Sequence, residues 1–205
     1  FTHEYGPDAC GTQAMNISYL SFNLKKEPTS RREVREALDI AVDRYALFKV
    51  LFPRGDALQA VSAFPPMVPG YDKALKNDYD PARAKQLLEK AGLGGGFEID
   101  LWALPIARPT NPNGQLMAQM IQADWAKIGV KARIVTYEWG EYLKRAKQGE
   151  HTTAQLGWTG DNGDPDNFFN VLLGCASKTS TSRWCFKPFD DLVVQAKQIS
   201  DVEKR

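Results

Sequence analysis

Between Phe97 and Asp161 the chain changes its hydrophobic period four times, and this alternation limits the fold more than any other feature. Phe97 to Ala103 and Val130 to Tyr137 read as strands, as does Thr153 to Trp158. Between them, Leu116, Met120, Ile121, Ala123, Trp125 and Ile128 recur at helical spacing up to Gly129, and Trp139 to Gln148 forms a second helical stretch. Strand, helix, strand, helix, strand at this spacing predicts an α/β domain whose sheet is covered by helices. In such folds ligands bind beyond the carboxyl ends of strands. Two predicted strand ends carry unusual chemistry. One leads into Pro105-Ile106-Ala107-Arg108-Pro109-Thr110, a proline-braced loop with a cation. The other runs into Gly157-Trp158-Thr159-Gly160-Asp161-Asn162-Gly163-Asp164-Pro165-Asp166-Asn167-Phe168-Phe169, where glycines and proline stop regular structure and aspartates share a turn with an indole.

Upstream, Met15 to Leu24 alternates apolar and polar residues as a strand does. Ser30 followed by Glu33 predicts a capping box opening one helix that continues through Val34, Leu38, Ala41, Val42 and Tyr45 to about Lys49. Phe52 to Tyr71 is too rich in proline and glycine for regular structure. Asp80-Pro81 predicts a helix start that runs through Ala84, Leu87 and Leu88 to Gly92. Gly94-Gly95-Gly96 is a connector, because a phosphate loop needs a preceding strand and a Gly-Lys-Ser/Thr ending. Trp102, Trp125 and Trp139 fall in regular elements and are expected in the core or at its edge. The last residues, through Arg205, read as a continuing helix, and both ends give the impression of a piece of something longer.

Apolar residues make up 43% of the 205 residues, enough for a core, while a net charge of +1 gives no electrostatic case for nucleic acid or a membrane surface. No run approaches the roughly 20 apolar residues of a membrane-spanning helix. Cys175 and Cys185 flank a Ser/Thr-rich segment that has little else to hold it. A disulfide there would contribute about 3 kcal/mol as an upper figure, and it points to an oxidising compartment. Zinc is disfavoured because no second Cys or His pair has ligand spacing. Cys10 has no assigned partner, and the separated His3 and His151 have no assigned role.

Catalytic readings fare poorly. The chain has no Gly-x-Ser-x-Gly elbow and no zinc motif, and no further carboxylate-bearing strand end partners Asp161 for glycoside chemistry. A calcium loop counted from Asp161 would need Gly and Glu where Asp166 and Leu172 stand. Asp164 and Asp166 are expected to shape the turn rather than to touch a ligand, and no cofactor or metal is implied.

Several segments resemble the family-5 solute-binding proteins of ABC importers. Val34-Arg35-Glu36-Ala37-Leu38-Asp39-Ile40-Ala41-Val42-Asp43-Arg44 looks like the family's VRQALxxAIDR helix, and Tyr79 to Leu88 looks like its YDPxKAKxLL helix. Ala123 to Val130, Thr136 to Tyr142, the stretch from Gly157 to Phe169, and Cys175 with Trp184-Cys185 resemble its dipeptide-binding branch. The resemblance implies a type II periplasmic-binding-protein lobe with a mixed sheet flanked by helices. On this reading residues 15–205 are a single α/β ligand-binding lobe of a two-lobe protein, the other lobe lies outside the chain, and residues 1–14 are unplaced. It implies capture of a dipeptide in the periplasm, by a monomer, and delivery to permease subunits in the inner membrane. It places Arg108 on the peptide carboxylate and Asp161 on the α-ammonium, with Pro109, Thr110, Trp158, Thr159 and Gly160 lining the site. Thr110 stands where the family has tyrosine. A relative with other cargo, such as an oligopeptide, glutathione, haem or a metal chelate, is the alternative.

Overall fold

The computed structural model describes residues 14–55, 57–201 and 204, so Cys10, His3 and nearly all of the unplaced N-terminal segment lie outside the described residues. The strands are β1 (Asn16–Phe22), β2 (Phe97–Trp102), β3 (Val130–Val135) and β4 (Thr153–Thr159). The helices are α1 (Arg32–Ile40), α2 (Arg44–Leu51), α3 (Pro81–Lys90), α4 (Gly114–Ala126), α5 (Trp139–Gln148), α6 (Asp166–Leu173) and α7 (Lys187–Ala196). They form a mixed sheet in the order β1-β4-β2-β3. β2 runs parallel to both β3 and β4, whereas β1 lies antiparallel along β4, with Asn16 opposite Thr159. The carboxyl ends of β2, β3 and β4 therefore share one edge of the sheet.

Alternation along the strands divides the core. Ile99 and Leu101 of β2 and Val130 and Ala132 of β3 face a layer made by α1, α3 and α4, including Val34, Leu38, Leu88, Ile121 and Trp125. Trp102, Ala154 and Leu156 face the opposite way, onto Tyr142 and Ala146 of α5. A third cluster, with Ile17, Phe64 and Phe168, closes the end where β1 begins. Two of the large buried side chains satisfy their polar atoms across layers, whereas the buried Trp102 indole N–H has no partner. Trp125 Nε1 donates to the Leu38 carbonyl at 2.9 Å, and the Tyr142 hydroxyl donates to the Gln155 carbonyl at 2.7 Å. Trp102 and Trp125 are core residues and Trp139 is half-buried, as the sequence indicates.

The helix starts follow capping chemistry where a short polar side chain precedes the first turn. Asp80 accepts from the Arg83 amide at 2.8 Å ahead of Pro81, and Asn113 accepts from the Leu116 amide at 3.0 Å. The predicted single helix from Ser30 to Lys49 is instead two, α1 and α2. Asp43 stops the first by capping the second: its side chain accepts from the Ala46 amide at 2.9 Å, while its own amide donates to Asp124 of α4 at 2.9 Å. The capping box is not formed either, because the Ser30 hydroxyl bonds Glu27 and the residue before α1 is Arg31, with no side-chain cap. Gly96 and Gly129 are needed where β2 and β3 begin. Gly96 has φ +84°, and a Cβ there would lie 2.3 Å from the Gly129 carbonyl oxygen.

At the carboxyl end, α7 stops at Ala196, and Asp201 and Lys204 are not helical, so the expected continuing helix is not found there; the other residues of that stretch lie outside the described residues. Cys175 and Cys185 are joined by a disulfide with a Cα–Cα distance of 4.6 Å, tying the end of α6 to the start of α7. It closes a loop with a sequence separation of 10 residues, so the loop-entropy contribution is about 3 kcal/mol at most. Reduction is expected to lower the urea midpoint by an amount equivalent to about 2–3 kcal/mol without changing the far-ultraviolet spectrum. An unchanged midpoint would show that the loop is held by other contacts.

Candidate functional site

The shared edge of the sheet gathers three segments. The Arg108 loop follows β2, Trp139 follows β3, and Trp158 to Asp161 close β4. Because β2 lies between β4 and β3, the arginine loop sits between the other two segments in strand order.

A short antiparallel bridge builds the loop. The Arg108 amide donates to the Asn111 carbonyl and the Asn111 amide to the Arg108 carbonyl, each at 2.9 Å. Asn111 is buried and anchors the loop to β4, its Nδ2 lying 3.4 Å from Gln155 Oε1. The same Gln155 oxygen accepts from the Leu104 amide at 3.2 Å, so one buried side chain of β4 holds both ends of the segment. The two strand ends touch directly at Thr110 and Gly157. A Cβ on Gly157 would lie 2.2 Å from Thr110 Oγ1 and 2.5 Å from its Cβ, so only glycine leaves room for the threonine. Arg108 and Pro109 are exposed and Thr110 is half-buried. The Arg108 guanidinium lies 4.9 Å from the centre of the Trp139 ring, and that ring stacks in turn on Tyr142.

The β4 end is built around a residue that the sequence reading left without a role. Asn167, in the first turn of α6, accepts from Trp158 Nε1 at 2.9 Å and from the Asp161 amide at 3.2 Å, and its Nδ2 donates to Asp161 Oδ2 at 3.3 Å. Trp158 is half-buried, Thr159 and Asp161 are exposed, and Gly160 is buried. The Gly160 amide donates to the Met15 carbonyl at 2.7 Å, and the Phe168 ring lies against its Cα hydrogens. Asp164 shapes the turn, accepting from the Asp166 amide at 2.8 Å, and Asp166 lies 3.5 Å from Lys197. Among the described residues, neither the Arg108 guanidinium nor the Asp161 carboxylate belongs to an ion pair, so each charge is available to a ligand.

These residues form an open edge rather than an enclosed pocket. A cavity of about 870 Å³ runs beside β1 and the 57–67 segment and reaches Pro109 and Thr110, but Arg108, Trp158 and Asp161 are not among its walls. No group of three or more potential metal ligands occurs among the described residues. No helix among them is long and apolar enough to cross a membrane.

Residues 8–180 match the family described as bacterial extracellular solute-binding proteins, family 5. The dipeptide-binding protein of Escherichia coli K12 is 53% identical over 195 residues, covering 93% of this chain and 36% of that protein. Heme-binding protein A of Haemophilus influenzae is 43% identical over 196 residues, covering 94% of this chain and 36% of that protein. Among solved structures, a dipeptide-binding protein from Pseudoalteromonas sp. SM9913 in complex with Met-Leu superposes with a TM-score of 0.88 at 36% identity, covering 93% of this chain and 38% of that one. This chain thus spans little more than a third of the length of these relatives, and its mixed α/β fold is that of type II periplasmic binding proteins. The chain belongs to the family-5 bacterial extracellular solute-binding proteins.

Proposed function

We propose that this chain is one lobe of the two-lobe substrate-binding component of an ABC importer. It captures dipeptides in the periplasm and delivers them to permease subunits in the inner membrane. The observation that carries this reading is the pair of uncompensated charges on neighbouring parallel strand ends, a cation at Arg108 and an anion at Asp161. A dipeptide is a zwitterion with its two charges a fixed distance apart. One cation and one anion on rigid strand ends measure that distance and discriminate against longer peptides. Arginine suits the carboxylate because its planar fork donates two parallel bonds. In open water each pair is worth at most about 1 kcal/mol. Closure of a second lobe over the edge removes water and strengthens both. The disulfide and the family's extracellular character support a periplasmic setting. Backbone groups can bind the central peptide unit without reading side chains.

The second reading, another cargo within the same family, is favoured by the 43% identity to a protein named for binding haem and by threonine at position 110. Calorimetry on the two-lobe polypeptide that contains this chain separates the two. The expected result is micromolar or tighter binding of a free dipeptide, with loss of affinity on N-acetylation and for a tetrapeptide. Indifference to all three moves the cargo to haem, glutathione or a metal chelate.

A further inference from the structure

We infer that Asn167 is the positioning residue of this site, setting the orientation in which Asp161 and Trp158 meet a ligand's ammonium group. The inference rests on the reading of Asp161 as the ammonium anchor. An exposed aspartate just past a strand end, next to Gly160, has many rotamers, and a charge on such a side chain is poorly aimed. Here one amide group removes that freedom. Asn167 Oδ1 receives two donors that cannot accept, the Trp158 indole N–H and the Asp161 backbone N–H. Its Nδ2 faces a carboxylate oxygen, which can only accept. The chemistry of the neighbours therefore fixes which way round the amide stands, with no alternative flip.

The consequence is a division of labour within the Asp161 carboxylate. Oδ2 is held by Asn167, and Oδ1 remains for an incoming cation. The same amide holds the indole of Trp158 at the end of β4, beside the carboxylate. Aspartate lacks the donor, serine the reach and leucine the polarity, while glutamine carries the same amide one methylene farther out. The first turn of α6 is a rigid platform for the amide, since Phe168 of the same turn is fully buried against Gly160.

The test is Asn167→Ala in the two-lobe polypeptide, titrated with a free dipeptide, its N-acetyl form and its C-terminal amide. Misaiming one charge-assisted contact is expected to weaken free dipeptide about tenfold. The N-acetyl form, which has no ammonium to recognise, keeps its wild-type affinity. The penalty for amidating the carboxyl end stays unchanged, because that end belongs to Arg108. A proportional loss for all three ligands would show a merely structural role and overturn the proposal. So would a variant that discriminates against the N-acetyl form as well as wild type does. A wild type that binds free and acetylated peptides alike refutes the reading of Asp161 itself, a distinguishable failure. Should the variant fold poorly, nuclear magnetic resonance of the wild type decides. The Asn167 side-chain amide and Trp158 indole resonances shift with free dipeptide and not with the acetylated one, and resonances that stay in place overturn the proposal.

Discussion

Replacing Arg108 with alanine in the two-lobe protein lowers affinity for a free dipeptide by about 2–5 kcal/mol, roughly thirtyfold to several thousandfold, with little change in thermal stability. The size follows from where the charge ends up. In this chain the guanidinium is exposed and rests on Trp139, so its removal costs the fold little, as expected for a surface position. On the proposed reading, a second lobe covering the edge desolvates the peptide carboxylate, and deleting Arg108 leaves it without that partner. Arg108→Lys restores the charge but not the paired donors, so it recovers only part of the loss. The diagnostic is a cycle with the ligand: in the alanine variant, amidating the peptide's C-terminus costs nothing further. Calorimetry that finds the same amidation penalty in wild type and variant would move the carboxylate contact away from Arg108.

The second large effect is on acid stability, and it comes from a residue given no role on sequence grounds. His151 is fully buried just ahead of β4. Its Nε2 lies 3.2 Å from the Thr181 carbonyl, its ring stands edge-on to Trp102 at 5.6 Å, and Nδ1 has no hydrogen-bond partner. Burial pushes its pKa down from 6.5 to about 4; the Thr181 carbonyl opposes the shift, while the charges of Lys26 and Arg183 add to it. A depressed histidine pKa means that the folded state favours the neutral ring. The associated stability is fully present above about pH 6.5 and is lost as pH falls towards 4. At 1.36 kcal/mol per pH unit the loss approaches about 3 kcal/mol. His151→Gln, which retains a donor for the Thr181 carbonyl, is expected to flatten that part of the profile. Urea unfolding at pH 7 and pH 4 checks this. Parallel pH profiles for wild type and variant would mean that the carboxylates alone set acid stability.

The parts of this fold that can be read from sequence are those whose boundaries carry their own local chemistry. Asp80-Pro81 announces a helix through its side-chain cap, and the β2–α4–β3–α5–β4 run announces itself through changes of period. Where tertiary contacts decide, the sequence is silent or misleading. The break between α1 and α2 depends on Asp43 reaching both Ala46 and Asp124, and Asp124 is far away in the chain. α6 starts directly after Pro165, so the turn residues that end β4 also hide the helix that follows. The same holds for the site. Arg108 and Asp161 stand out as charges in loops, but Gln155, Trp139 and Asn167, which hold the loop, the guanidinium and the carboxylate, look in sequence like ordinary strand and helix residues.

A crystal structure of the two-lobe protein with a bound dipeptide would show directly whether Arg108 and Asp161 anchor the peptide's two ends. The peptide carboxylate is expected within about 3 Å of the Arg108 guanidinium and the ammonium within about 3 Å of Asp161 Oδ1, across the edge where β2 and β4 end. A peptide seated instead in the cavity beside β1, with neither terminus at these residues, would contradict it.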